Sequence, residues 1–132
     1  MTVRELTYAQ ALSEGLCQAM ERDPSIFVTG IAVDYPSGIF GSTTEATKRF
    51  GPSRVFDAPA MENAMTGIAI GAASMGKRPV IAHPRNDFMF LALDQLINLA
   101  AKWRYMFGNQ NGVPVVTRGM IDPSAMRRLC IP

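Results

Sequence analysis

The sequence is poor in the residues that carry most reactive chemistry. It has one histidine, His83, and two cysteines, Cys17 and Cys130. The cysteines form no Cys-x-x-Cys pair and have no histidine beside them. That argues against a zinc site and against a disulfide framework, and both are expected to be idle thiols in a reducing compartment. Charge is also scarce: 13 basic against 11 acidic side chains leave a net charge of +2. The basic residues are scattered except in the short "MRRL" near the end, so nucleic acid is not an expected partner. No uninterrupted apolar run approaches the about 18 residues of a membrane span. The opening "MTVRELTYAQ" has no apolar segment of the secretory kind, and a cytoplasmic protein is expected. There is no internal repeat and no low-complexity linker. No Gly-rich loop of the form a dinucleotide requires follows the first strand, which argues against an ordinary doubly wound nucleotide binder.

What is present is enough for one packed domain: 132 residues, 48% of them hydrophobic. Residues 7–22 read as a helix, opened by Thr7 and Gln10 as a capping box and stopped at Asp23-Pro24. "SIFVTG" reads as a buried strand, and a Gly-, Pro- and Ser-rich loop follows it. "TTEATKRFG" is a second helix, "RVFDA" a short strand, "ENAMTGIAIGAASMG" a third helix and "RPVIAH" a strand. Residues 86–108 read as the longest helix, with Phe88, Leu91, Leu96, Leu99, Ala100 and Trp103 at three- and four-residue steps. "VPVVTRG" is the last strand. Helices alternating with short apolar strands imply a mostly parallel sheet of about five strands with helices on both faces, a three-layer α/β/α architecture. Ligands bind such sheets beyond the carboxyl ends of the strands, and residues 57–61, residues 83–87 and Arg118 fall there.

One stretch stands out, "DAPAMENAMTGIAIGAASMG". A lone acid, Glu62, opens a run of small and apolar residues. A helix macrodipole favours a negative charge at that place by roughly 0.3–1 kcal/mol, which is one reason for an acid there. The spacing of Glu62, Gly67, Ile68, Gly71 and Ala72 supplies another, since "E-x4-G-Φ-x-x-G-Φ" resembles a motif of thiamine diphosphate enzymes. "RELTYAQAL", "RVFDAPAMENAMTGIAIGAA", "ALDQLINLAAKWRYM" and "VPVVTRG" are similar to consecutive blocks of the beta subunit of 2-oxo acid dehydrogenases. That subunit contains the pyrimidine-binding module of the transketolase-like superfamily. The resemblance covers nearly all of residues 4–119. It divides the chain into a pyrimidine-binding module, 1–119, incomplete at its C-terminal side, and an atypical tail, 120–132.

The resemblance implies roles. Glu62 matches the catalytic and cofactor-binding glutamate that hydrogen-bonds a ring nitrogen of the cofactor's aminopyrimidine and favours its imino tautomer. The exocyclic nitrogen then removes the proton from the thiazolium carbon. Phe88 matches an aromatic that lies against the aminopyrimidine, and a core phenylalanine is its other reading. Asp94 matches an acid bordering a polar channel between two active sites, or is a plain helix-surface residue. His83 sits at a strand end on the expected substrate side. The family's usual histidine lies later in the chain, so His83 is not its counterpart.

The chain also departs from the family. Ile31 and Ala32 stand where an acid usually follows the first strand's glycine, with Asp34 nearby in a different register. "MIDPSAMRRLCIP" replaces a glycine-rich loop that bears a histidine. Nothing matches "GDG" with a distant Asn, the signal for Mg²⁺ and diphosphate, which in this family belongs to an alpha-type partner subunit. The resemblance therefore implies an enzyme half that needs that partner to hold thiamine diphosphate with Mg²⁺, and that self-associates across the Gly67/Gly71 helix. Either 2-oxo acid decarboxylation or transketolase-like transfer fits. The alternative is a non-catalytic remnant serving as an assembly or binding module.

Overall fold

The computed structural model describes residues 4–120. The tail with Cys130 lies outside the described residues apart from Met120. Among the described residues the sheet has four strands, all parallel, in the order β2-β1-β3-β4. They are β1, Ile26–Gly30; β2, Val55–Asp57; β3, Arg78–His83; and β4, Val116–Gly119. Each coincides with one of the four apolar runs, and the expected fifth strand has no counterpart among the described residues.

Period-two alternation sends successive side chains of β3 to opposite faces. Val80 and Ala82 join Leu16, Cys17 and Met20 of α1, Tyr8–Arg22, in the larger core cluster. Ile81 packs on the other side with Met65 and Ala69 of α4, Glu62–Ser74. The sheet thus carries α1 and α3, Thr44–Phe50, on one face and α4 on the other. Three layers follow, as the sequence implies.

Local chemistry fixes the ends of these elements. The Thr7 hydroxyl accepts from the Gln10 amide at 3.3 Å, and the Gln10 side chain accepts from the Thr7 amide at 2.8 Å, which closes the capping box. Arg54 ties β2 to the end of α1 by donating to the carbonyls of Met20, Asp23 and Ile26. Gly30 has φ +154°, and a Cβ there would meet the Ala82 carbonyl oxygen at 2.1 Å. Only glycine lets β1 run this close to β3.

Two expectations change. The loop after β1 holds α2, Gly38–Gly41, a single distorted turn with Ile39 at φ 36° and Phe40 at φ 56°. The long helix is not one regular element. It starts as α5, Asn86–Met89, tightens at Phe90–Ala92, widens over Asp94–Ala100, and ends as α6, Trp103–Met106. In the wide part the Ala101 amide reaches back five residues to the Leu96 carbonyl at 2.9 Å. Such π-turns insert an extra residue and rotate everything after them by roughly 100°. The apolar stripe read from regular spacing is therefore split, and none of its residues is fully buried.

Candidate functional site

The site assembles where α4 begins, beyond the carboxyl ends of β1 and β3. A loop swings from β2 across this edge. The Asp57 carboxylate accepts from the Val33 amide at 3.0 Å and fixes the neighbouring loop after β1. The chain then enters α4 at Glu62, with Met61 as an N-cap that offers no side-chain hydrogen bond. Asp34, the acid nearest the family's missing one, is exposed on that loop.

The inward face of α4 is Glu62, Met65, Thr66, Ala69, Ile70 and Ala73, a helical stripe against the sheet. Glu62 is therefore on the buried side, only 9% exposed. Among the described residues its carboxylate has neither a hydrogen-bond nor an ion-pair partner. That is an unusual state for a buried acid. His83 ends β3 on the same face as Ile81 and is fully buried, at 0% exposure. Neither of its ring nitrogens has a partner, and the Thr66 hydroxyl one turn beyond Glu62 has none either. Burial holds the His83 imidazole below its ordinary pKa of 6.5, and the negative charge of Glu62 partly offsets this. An enclosed imidazole and hydroxyl with unused hydrogen-bonding capacity thus lie beside an inward-turned carboxylate. Such groups suit a polar, flat ligand with donors and acceptors on its edge.

Phe88 is 42% exposed and is not a core residue. The Arg85 guanidinium lies 4.8 Å from its ring centre and pairs with the Asp87 carboxylate. Asp94 is exposed at the start of the wide turn and accepts from Asn98 at 2.9 Å. It is linked back to α4, because Gln95 donates to Asp94 at 3.4 Å and to Asn63 at 3.0 Å. Asn63 in turn donates to the Leu91 carbonyl at 3.2 Å. The π-turn thus presents Gln95 to the residue next to Glu62, and a Cβ on Gly67 would meet the Gln95 side chain at 3.0 Å. Gly71 faces open space.

The structure brings Glu62 and His83 together, ties Asp94 to the start of α4 through Gln95 and Asn63, and leaves Phe88 on the exposed rim. Sequence reasoning missed Thr66, Asn63 and Gln95. A single polar residue in a helix carries no pattern of its own, and only the i, i+4 step from Glu62 to Thr66 marked that pair. Among the described residues no group of three or more His, Cys, Asp or Glu is placed to hold a metal ion. No helix there is long and apolar enough to cross a membrane.

Comparison with known proteins gives a consistent set of matches. The model of the transketolase pyrimidine binding domain matches residues 4–125. The chain is 40% identical over 116 residues to a pyruvate dehydrogenase E1 component subunit beta-2, mitochondrial, of Oryza sativa subsp. japonica, covering 88% of this chain and 31% of that protein. It is 42% identical over 118 residues to the chloroplastic subunit beta-2 of Arabidopsis thaliana, covering 89% and 29%. It is 36% identical over 121 residues to the mitochondrial subunit beta of Bos taurus, covering 92% and 34%. The chain spans about a third of the length of these curated relatives.

Proposed function

Because the chain belongs to the transketolase pyrimidine binding domain family, we propose that it is the pyrimidine-holding part of a beta-type subunit in a thiamine diphosphate-dependent 2-oxo acid dehydrogenase. The observation that carries this reading is Glu62, turned inward at the start of α4 with no hydrogen-bond partner among the described residues, beside the fully buried and unpartnered ring nitrogens of His83. That state costs stability in the free chain and is relieved when a ligand supplies the missing hydrogen bond.

The residues fit the aminopyrimidine of thiamine diphosphate. In this reading Glu62 accepts a hydrogen bond from a ring nitrogen and holds the proton there. His83 and Thr66 border the same space on the substrate side, offering a hydrogen bond without a second charge. Phe88 gives its ring face to the flat heterocycle. Asp94 joins the site by way of Gln95 and Asn63, which makes it the start of a polar route away from Glu62. When bound, the cofactor supplies the electron sink for decarboxylation, and the protein supplies position and proton control.

The rest of the site belongs to a partner in this reading. An alpha-type subunit carries the Mg²⁺ and diphosphate motif, and a second copy packs over the Gly67/Gly71 helix, α4, where Gly71 faces open space and Gly67 abuts Gln95. Exposed Phe90, Leu91, Ile97, Met106 and Phe107 support a covered face, because so many large apolar side chains are seldom left in water. The cytoplasm is the compartment of this reading. A second reading, an assembly or binding module without catalysis, is favoured by the Arg85 guanidinium, which lies over the Phe88 ring where a heterocycle would stack.

Proton exchange at the thiazolium carbon separates the two. It is measured in an assembly of an alpha-type partner with this module joined to the C-terminal part its relatives carry. Glu62→Gln should slow exchange by ~10²–10⁴-fold, the range of a positioned acid–base group. Equal exchange in both proteins would remove Glu62 from the chemistry and leave the module reading.

A further inference from the structure

On the opposite face of the sheet from Glu62, Arg118 presents a separate feature. It follows Thr117 in β4 and pairs in register with Ala82, a member of the α1-side core. Its side chain points to that side and donates to the Ser42 hydroxyl at 2.8 Å. Among the described residues this neutral oxygen is its only hydrogen-bond partner, and no carboxylate pairs with it. Other arginines, the part-buried Arg54 and the exposed Arg49, Arg78 and Arg85, are treated differently. Arg54 spends its donors on three carbonyls, and Arg49, Arg78 and Arg85 each pair with a carboxylate. Burial pulls the Arg118 pKa below its ordinary value, which reports the cost of holding the cation there, yet a guanidinium stays charged. It has five N–H donors in a planar fork, and one is used.

The guanidinium borders an open cavity of about 480 Å³ lined by Tyr8, Ala9 and Leu12 of α1, Ser42, and Met120. Small-molecule sites start at roughly 300 Å³. Ser42 is 1% exposed and is seated by the distorted α2 turn, donating to the Ile39 carbonyl at 2.8 Å. With its proton committed, its oxygen can only accept, so it orients the arginine and leaves the remaining fork for a ligand. Positive φ at Ile39 and Phe40 is a strained backbone state that persists where the surroundings enforce it. Here it places Ser42. The cavity opens beyond the carboxyl end of β4, where open parallel sheets take ligands.

We infer that this pocket is a second ligand site, distinct from the Glu62 site, which takes a small oxyanion by its carboxylate or phosphate group on Arg118. The fork matches either group with two parallel N–H···O bonds. Leu12, Met120 and the Tyr8 ring accept the apolar part of a small organic anion. Nothing in this inference depends on thiamine diphosphate.

The test uses the intact chain and follows the Arg118 Nε–H signal by NMR, with pyruvate and inorganic phosphate as separate probes. A saturable shift with a half-point on the order of 1–10 mM is expected for one or both. Earlier saturation by pyruvate assigns the site to carboxylates, and earlier saturation by phosphate assigns it to phosphate groups. Arg118→Met should weaken binding at least ~10-fold, the scale of one lost charge-assisted pair, as read by calorimetry. Arg118→Lys, which keeps the charge and loses the fork, serves if the methionine variant does not fold, and should also bind more weakly. No saturable shift with either probe, or unchanged affinity in the folded Arg118 variant, overturns the site.

Discussion

Glu62 shows how one side chain's meaning depends on which side of a helix it faces. An exposed first-turn glutamate would do no more than complement the macrodipole. Phasing with Met65, Thr66 and Ala69 turns it inward instead, to 9% exposure, next to a histidine with no partner. Both residues were legible in the sequence, Glu62 through its motif and His83 through its place at a strand end. Their pairing was not, because nothing in "RPVIAH" says which sheet face His83 takes until Ile81 is seen on the α4 side. The pair makes a pH prediction. The folded His83 pKa lies below the ordinary 6.5, so the unfolded chain binds the proton more readily. Stability is then fully present above about pH 6.5 and falls as pH drops below it. As this is the only histidine, no other imidazole contributes to that window. Thermal melts should show a midpoint that declines from neutral pH toward pH 5 in the wild type, and a flatter profile in His83→Leu. A wild-type midpoint indifferent to pH across that interval would contradict the buried neutral imidazole. Cys17 gives a simpler case: burial raises its thiol pKa, and Arg49 offsets part of the effect. It should react with a thiol reagent only at the rate of local opening.

At the scale of elements, the sequence was most readable where a local rule fixes the geometry. The capping box at Thr7 and Gln10, the stop at Asp23 and the four strands are short-range effects, and all appear where the residues place them. Thr7→Ala should cost ~0.5–2 kcal/mol, measured by denaturant unfolding, because the Gln10 amide loses the hydroxyl that caps it. Gly30→Ala should be far more damaging, since its Cβ would collide with the Ala82 carbonyl. A melting point for Gly30→Ala within a degree or two of the wild type would mean that β1 and β3 are further apart than described. The segment after β3 was the least readable element. Its spacing fits one helix, yet it passes through a tight turn and a wide turn before α6. The wide turn is where Gln95 reaches Asn63 and abuts Gly67. Three- and four-residue steps cannot reveal a five-residue hydrogen bond, because its cause is tertiary.

As a whole, the described residues form a parallel four-stranded sheet with a cluster of buried polar side chains at its carboxyl edge and a large apolar surface left in water. Ile68 is 74% exposed on α4, and Tyr105 is 92% exposed on α6. Among the described residues strands β2 and β4 are the sheet edges, and Val116 on β4 is 53% exposed. Such a surface should drive self-association, and sedimentation at tens of micromolar should show a dimer or larger species. A stable monomer would contradict it. We propose that Glu62 and His83 wait for an aminopyrimidine. The most direct measurement titrates the aminopyrimidine half of thiamine, without the diphosphate, into the chain and follows the ring signals of its one histidine by NMR. The account predicts a saturable shift of the His83 signals that is lost in a folded Glu62→Gln variant. Signals that do not move, or that move equally in Glu62→Gln, would contradict it.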